Sequence, residues 1–179
     1  MGEGNGYGRG RMATASVAEF RMAAEEFCGL AEAGRPLGAA DLWRIRRLLL
    51  RLLLHIPAVE AHPQGVETAG RRPEEAEFGR AVRRFAELPF SFYRVVFDPH
   101  DLEADDEPVM GMLADDLADI YRDLAEGVDQ ARQGNLEAAC FDWSLSYRTH
   151  WARHAVHALT ALELYRLGDS GGSVPGTGG

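Results

Sequence analysis

Lysine is absent from this 179-residue chain; all 19 basic residues are arginine. That excludes Schiff-base and general-base lysine chemistry, and also the Walker-type phosphate loop, which needs its lysine. Cysteine is scarce. Cys28 and Cys140 lie far apart in helix-like patterns, with no Cys-x-x-Cys or Cys/His metal spacing. A disulfide framework or zinc ribbon is therefore unsupported, and two buried, reduced thiols suit a cytoplasmic protein. No apolar run reaches the ~20 residues that span a bilayer. The strongest, residues 48–56, is broken by Arg51 and His55. The Gly-rich N-terminus has no apolar stretch and reads as no signal peptide. GxSxG, GxGxxG and HExxH motifs are missing, and Ser144 and Ser146 lie mid-helix without an evident oxyanion hole.

What remains is an ordinary globular composition, 46% hydrophobic, long enough for one domain with a real core. The net charge is −9, which argues against a nucleic-acid binder, because phosphate affinity is mostly cationic. The charge is unevenly spread. Residues 98–129 hold twelve acids and a single base, Arg122, for −11, while the rest of the chain is +2. One segment is acidic and the protein is not. Its loop part, 101–107, alternates acids as a calcium loop does. An EF-hand would need Gly at its sixth position and Glu at its twelfth. Those positions are Asp106 and Met112, so the motif fails.

Apolar spacing is helical nearly throughout. Residues 1–13 and 168–179 read as disordered Gly-rich ends around a helical domain at 14–167. A first helix starts near Ser16, where Ser16 and Glu19 make a capping-box pattern, and carries Phe20, Ala23, Ala24, Phe27, Cys28 and Ala31. A second runs over 39–56 and ends before Pro57, with Arg44, Arg46, Arg47 and Arg51 as a solvated face. After a Pro/Gly loop, a third covers 74–88. The aromatic, β-branched stretch 89–99 reads as an extended segment packed on helices, for want of a partner strand. A fourth helix spans 109–133, and a long fifth runs from Gly134-Asn135 to Leu167. The expected fold is all-α, a single-domain antiparallel bundle of about five helices with a long C-terminal one.

Helical wheels at ~100° per residue mark a polar seam between the last two helices. Leu113, Leu117, Ile120, Leu124 and Val128 make the core stripe of the fourth. Asp116 and Asp123 fall on its shoulder, Asp119 just beyond, and Asp115 and Arg122 point away. On the fifth, Trp143, Tyr147, His150 and His154 flank the apolar face, and Arg148 falls near its middle. Counting outward from the turn sets Asp119 opposite Arg148 and His150, and Asp116 between His150 and His154. A buried guanidinium needs a partner, so the expectation is a network of Asp116 and Asp119 with Arg148, His150 and His154. On that placement Arg148→Met destabilises by about 3–5 kcal/mol.

This seam has three readings: a buried cluster fixing helix register, a cleft for a partner or small polar ligand, or a metal site. For the last, His150 and His154 have the i, i+4 spacing that lets two imidazoles share an ion, with Asp116 and Asp119 adding oxygens. A fixed Arg148 charge beside the ion weighs against it, and His157 reads as a surface residue. All-helical nucleotide pyrophosphatases need paired acidic motifs on two helices. Beside Asp115-Asp116-x-x-Asp119, the chain offers only Glu25-Glu26 and Glu74-Glu75-x-Glu77.

Phe20-x6-Phe27-Cys28, Phe92-Tyr-Arg-Val-Val-Phe-Asp-Pro99, Leu113-Ala-Asp-Asp-Leu-Ala-Asp-Ile-Tyr-Arg-Asp-Leu124 and His150-Trp-x-x-His154 with Ala158-Leu159 occur together. In these phrases residues 16–165 resemble a bacterial family, domain of unknown function 5063; Ala152 stands where that pattern has Gly. The resemblance implies a small helical domain and brings no activity. The leading expectation is a non-enzymatic binding module, without cofactor, using the acidic face of 98–129 or the seam. Its partner would be a basic protein or a small polar ligand, with a homodimer left open and neither nucleic acid nor membrane involved. An immunity- or antitoxin-like role fits by analogy. The rival is a metal-dependent enzyme, a hydrolase or pyrophosphatase, taking a divalent ion at Asp116, Asp119, His150 and His154.

Overall fold

The computed structural model describes residues 6–63, 70–96 and 107–170. Six helices form the bundle: α1 (Gly6–Glu32), α2 (Ala39–Glu60), α3 (Glu75–Phe85), α4 (Leu113–Arg132), α5 (Leu136–Ser146) and α6 (Ala152–Ser170). A π-helical turn, Tyr147–Trp151, joins α5 to α6, so the expected fifth helix is three pieces in series. α1 and α2 form a hairpin, and α4 packs against α1, α3, α5 and α6. The all-α expectation holds, apart from one small hairpin.

The core is the predicted set of stripes. Phe20, Ala23, Ala24, Phe27 and Cys28 of α1 meet Leu42, Ile45, Leu49, Leu52 and Ile56 of α2 and Leu117, Ile120 and Leu124 of α4. Each large apolar side chain among them contributes about 1.5–3 kcal/mol on burial. Both cysteines are unbridged and buried; burial pushes the Cys28 thiol well above its usual range and Cys140 up to about 11. They are inert packing residues.

Several element boundaries differ from the sequence expectation, among them the start of α1, which lies at Gly6 and leaves Ser16 and Glu19 inside the helix and not at its cap. α2 runs through Pro57 to Glu60, because one further turn buries Val59 completely and Ala61 N–H still reaches the Pro57 carbonyl at 3.1 Å. The stretch read as unpaired contains β1 (Phe92–Val95), and residues read as the first turn of the fourth helix form β2 (Val109–Met112). The two pair antiparallel in the register Phe92↔Met112 to Val95↔Val109. Gly111 permits this, since a Cβ there would lie 2.7 Å from Cζ of Tyr93. Tyr93 therefore lies across the neighbouring strand.

The arginines of α2 do not form a solvated row. Arg44 bonds Glu26 at 2.8 Å, Arg51 reaches Glu19 at 3.1 Å, and Arg46 pairs with Glu163 of α6. Only Arg47 of the four is exposed. Where the chain enters α2, buried Asp41 accepts from Gly38 N–H at 3.0 Å and from Arg35 at 2.9 Å. The Arg35 bond is the main reason its carboxyl is held below the usual range, against the opposing effect of burial. A depressed carboxyl stabilises the fold above the unfolded pKa of about 3.9, and that contribution is lost as pH falls through the folded value. Asp41→Ala is therefore expected to cost about 1–2 kcal/mol at neutral pH, with the gap to the native chain closing in acid melts below about pH 4.

Candidate metal centre in the seam between α4 and α6

α4 presents Asp116, Asp119 and Asp123 along one line of its surface, at i, i+3 and i+7, which is one side of a helix. The π turn and the first turn of α6 bring His150 and His154 against it. His154 Nδ1 lies 2.7 Å from Asp116 Oδ1, and His150 Nδ1 lies 2.6 Å from Asp123 Oδ2. In a neutral imidazole held this way, Nδ1–H donates to the carboxylate and Nε2 keeps its lone pair.

Asp116 and Asp123 are buried, and a buried carboxylate is tolerated only when its lone pairs are filled. Tyr93 O–H donates to Asp116 Oδ2, and Arg72 donates to Asp123 Oδ1 at 3.3 Å. Each histidine thus heads a chain of contacts: Tyr93–Asp116–His154 and Arg72–Asp123–His150. The hydrogen bond to Asp116, first, and the negative charges of Asp116 and Asp119 raise the His154 pKa, while its burial opposes them. Burial and Asp116 together push the Tyr93 phenol far up, so it stays a donor. Asp115 is raised by partial burial and by the charges of Asp119 and Asp116.

Asp119 completes the group. Arg122 holds its Oδ1 at 2.5 Å, and its Oδ2 lies 3.9 Å from His154 Nε2. The imidazole centroids are 4.7 Å apart. One ligand atom from each of Asp119, His150 and His154 lies within 4.8 Å of the other two. Two imidazoles and one carboxylate can converge on one cation from there by closing in to the separation of about 3.4 Å that tetrahedral ligands at about 2.0–2.1 Å require.

The structure corrects four expectations about the seam. Arg148 is exposed and makes no ion pair among the described residues. The π turn closes i→i+5 bonds and takes an extra residue per turn, so a uniform 3.6-residue wheel misplaces side chains within and beyond it. Arg148→Met is consequently expected to change stability by less than about 0.5 kcal/mol in thermal melts. Trp143 is no seam residue; it is fully buried, donates from Nε1 to the Leu124 carbonyl at 3.0 Å, and packs on Phe20 with centroids 5.1 Å apart. Tyr147, half-buried, packs edge-on against Trp151 at 4.8 Å and touches none of the acids by hydrogen bond. Arg122, placed outward by the wheel, turns back to Asp119 with its guanidinium 4.4 Å from the Phe78 ring centre.

Asp116 and His154 meet as predicted, while Asp123, not Asp119, takes His150. Sequence reasoning missed Tyr93 and Arg72. Tyr93 lies in one of the four phrases that carry the family resemblance, which was the available signal; Arg72 had none. Of the acidic stretch, Asp98, Asp101, Glu103, Asp105 and Asp106 lie outside the described residues. Of the glutamates that a pyrophosphatase would need, Glu26 pairs with Arg44 and Arg51, and Glu77 with Arg71.

The fold and site define a small helical-bundle domain with a His/Asp seam across two adjacent helices. Residues 12–167 match the family described as Domain of unknown function (DUF5063), and the chain belongs to it. Protein BF1032 from Bacteroides fragilis, solved as a structural-genomics target, is similar in structure. Its TM-score is 0.59 at 16% identity, over 91% of this chain and 96% of that one. At that identity the likeness shows the fold alone. No curated protein matches the chain. Among the described residues, no helix is long and apolar enough to cross a membrane.

Proposed function

We propose that this domain binds one divalent transition-metal ion through Asp119, His150 and His154, at a site of the open, catalytic kind. One observation carries the reading: both histidines are bonded through Nδ1 to buried carboxylates that are themselves anchored. Metal-ligating histidines are oriented in this way, with the second nitrogen on a carboxylate that fixes tautomer and ring angle. Register-fixing alone would need one such pair, and it gives no reason for Asp119 Oδ2 to face them. Two nitrogens and one oxygen suit zinc or iron and leave coordination positions for water or substrate. A bound ion would supply Lewis acidity and a water acidified to about pKa 7. The charge objection from Arg148 no longer applies, since that residue is exposed. Four carboxylates, Asp115, Asp116, Asp119 and Asp123, outnumber the adjoining Arg72, Arg122 and Arg153.

The competing reading is a binding module that engages a basic partner through acids 98–129. Among the described residues of that stretch it has Glu107 and Asp115 exposed. Asp116, Asp119, Asp123 and Glu126 are instead paired with histidine or arginine. Calorimetric titration of tag-free, metal-stripped protein with Zn2+ tests the proposal. One ion per chain with a Kd of about 1 μM or below is expected. Absence of stoichiometric binding to zinc, iron or manganese would sink it.

A further inference from the structure

A cavity of about 470 Å3 opens beside the hairpin, between β1 and α6. Its size falls within the range of about 300–1,000 Å3 that holds small ligands. Phe90 and Tyr165 are stacked in its lining, centroids 4.6 Å apart. Phe92 and Leu164 stand on it 58% and 64% exposed, a cost in water that an apolar occupant would remove. The polar lining residues are few: Thr160, His157, Tyr165 and Arg94, the Tyr93 hydroxyl being committed to Asp116. Among the described residues no acid lines it, although the chain carries −9 overall. Burial holds the His157 imidazole below its ordinary pKa, and Arg94 is the one permanent charge among the described lining residues. Arg94 is exposed and has no ion-pair partner among the described residues. An aromatic-walled cavity with one exposed arginine in its lining is complementary to an apolar body ending in a carboxylate.

We infer that this cavity is a binding site for a small apolar carboxylate, an aryl or acyl acid, whose headgroup pairs with Arg94 while its body lies against Phe90 and Tyr165. The site does not depend on the metal reading, because none of Asp119, His150 and His154 lines it. It adjoins the seam through one side chain: Tyr93 forms part of the cavity wall and donates its hydroxyl to Asp116. A ligand there presses on the same tyrosine that anchors the His154 carboxylate.

The full-length, metal-stripped chain is titrated with 2-naphthoate and with its neutral counterpart 2-naphthamide, by calorimetry and ligand fluorescence. Saturable 1:1 binding of naphthoate is expected, at least about tenfold tighter than the amide, the difference made by a charge-assisted pair. Arg94→Gln should erase that difference while leaving the amide unchanged. Thr160→Trp, at an exposed position on the cavity wall, should abolish binding of both, with far-UV circular dichroism confirming the fold. Leu164→Glu, also exposed, should weaken naphthoate more than the amide. The inference is overturned if naphthoate shows no saturation by about 1 mM, if binding survives Thr160→Trp and Leu164→Glu, or if the amide binds as tightly. None of these readouts contains metal, so failure here and failure at the seam are told apart.

Discussion

Gly127→Ala is expected to lower stability by about 2–4 kcal/mol and the melting temperature by about 5–15 °C. The sign is the reverse of the general rule. A glycine in a helix interior costs about 0.5–1 kcal/mol relative to alanine, so filling it normally stabilises. Gly127 lies in α4, directly under the indole of Trp143. A methyl group there would stand 2.4 Å from Nε1, 2.6 Å from Cδ1 and 2.7 Å from Cε2 of that ring. The ring has no room to retreat: it is fully buried, backed by Phe20, and held by its bond to the Leu124 carbonyl. Overpacking of this kind costs about 1–3 kcal/mol, and losing the indole hydrogen bond adds about 1 kcal/mol. Gly79→Ala in α3 is the control. Its methyl would meet only the end of Arg83, at 3.6 Å, so it should be neutral or slightly stabilising in the same melts. Equal melting temperatures for the two variants would mean that α4 and α5 are not in van der Waals contact at this point.

That contact also explains which parts of the fold are legible in the sequence. The stripes of α1, α2 and α4 obey a uniform period, and their buried residues are those the period selects. Tyr147–Trp151 does not, because both Trp143 and Trp151 are drawn into one aromatic core with Phe20, and the chain between them underwinds to allow it. Arg148 is misplaced by the wheel for that reason alone. Underwinding is a compromise between partners distant in sequence, and no local pattern announces it. β1 is similar: its residues are strand-like, but its partner begins at Val109 and reads as a helix start until the two strands are seen side by side.

The seam lies between these cases. Asp116, Asp123 and His154 stand out because polar groups on a core shoulder need partners, and each has one. Pairing by equal distance from the Gly134 turn succeeds for Asp116 with His154 and fails for Asp123 with His150, since it assumes equal helical repeats on both sides. Tyr93 and Arg72 come from a hairpin and a loop, where helical periodicity carries no information. They are the groups that turn two hydrogen bonds into two anchored chains. The −11 segment accordingly changes its meaning: its inward acids are committed to histidine, tyrosine and arginine, leaving less free negative charge for a partner than the count suggests.

The graded loss of metal affinity across the seam is the sharper test of this assignment. His150→Ala and His154→Ala each remove one of the three proposed ligands and should abolish stoichiometric Zn2+ binding outright. Asp116→Asn and Asp123→Asn keep all three ligands and nearly the same shape. Each loses the ionised acceptor that orients an imidazole, which should weaken Zn2+ about 10–100-fold. Tyr93→Phe lies one bond further out and should cost less than Asp116→Asn, because His154 Nδ1 keeps its carboxylate. A register-fixing cluster gives a different order. There the aspartate variants would destabilise the fold without any ordered effect on Zn2+ affinity, and a histidine variant would behave like its own aspartate. Calorimetry for affinity and thermal melts for stability, run on the same five proteins, separate the two orders. If Asp116→Asn binds Zn2+ as tightly as the native chain while His154→Ala also retains binding, the ion is held elsewhere and the seam is packing.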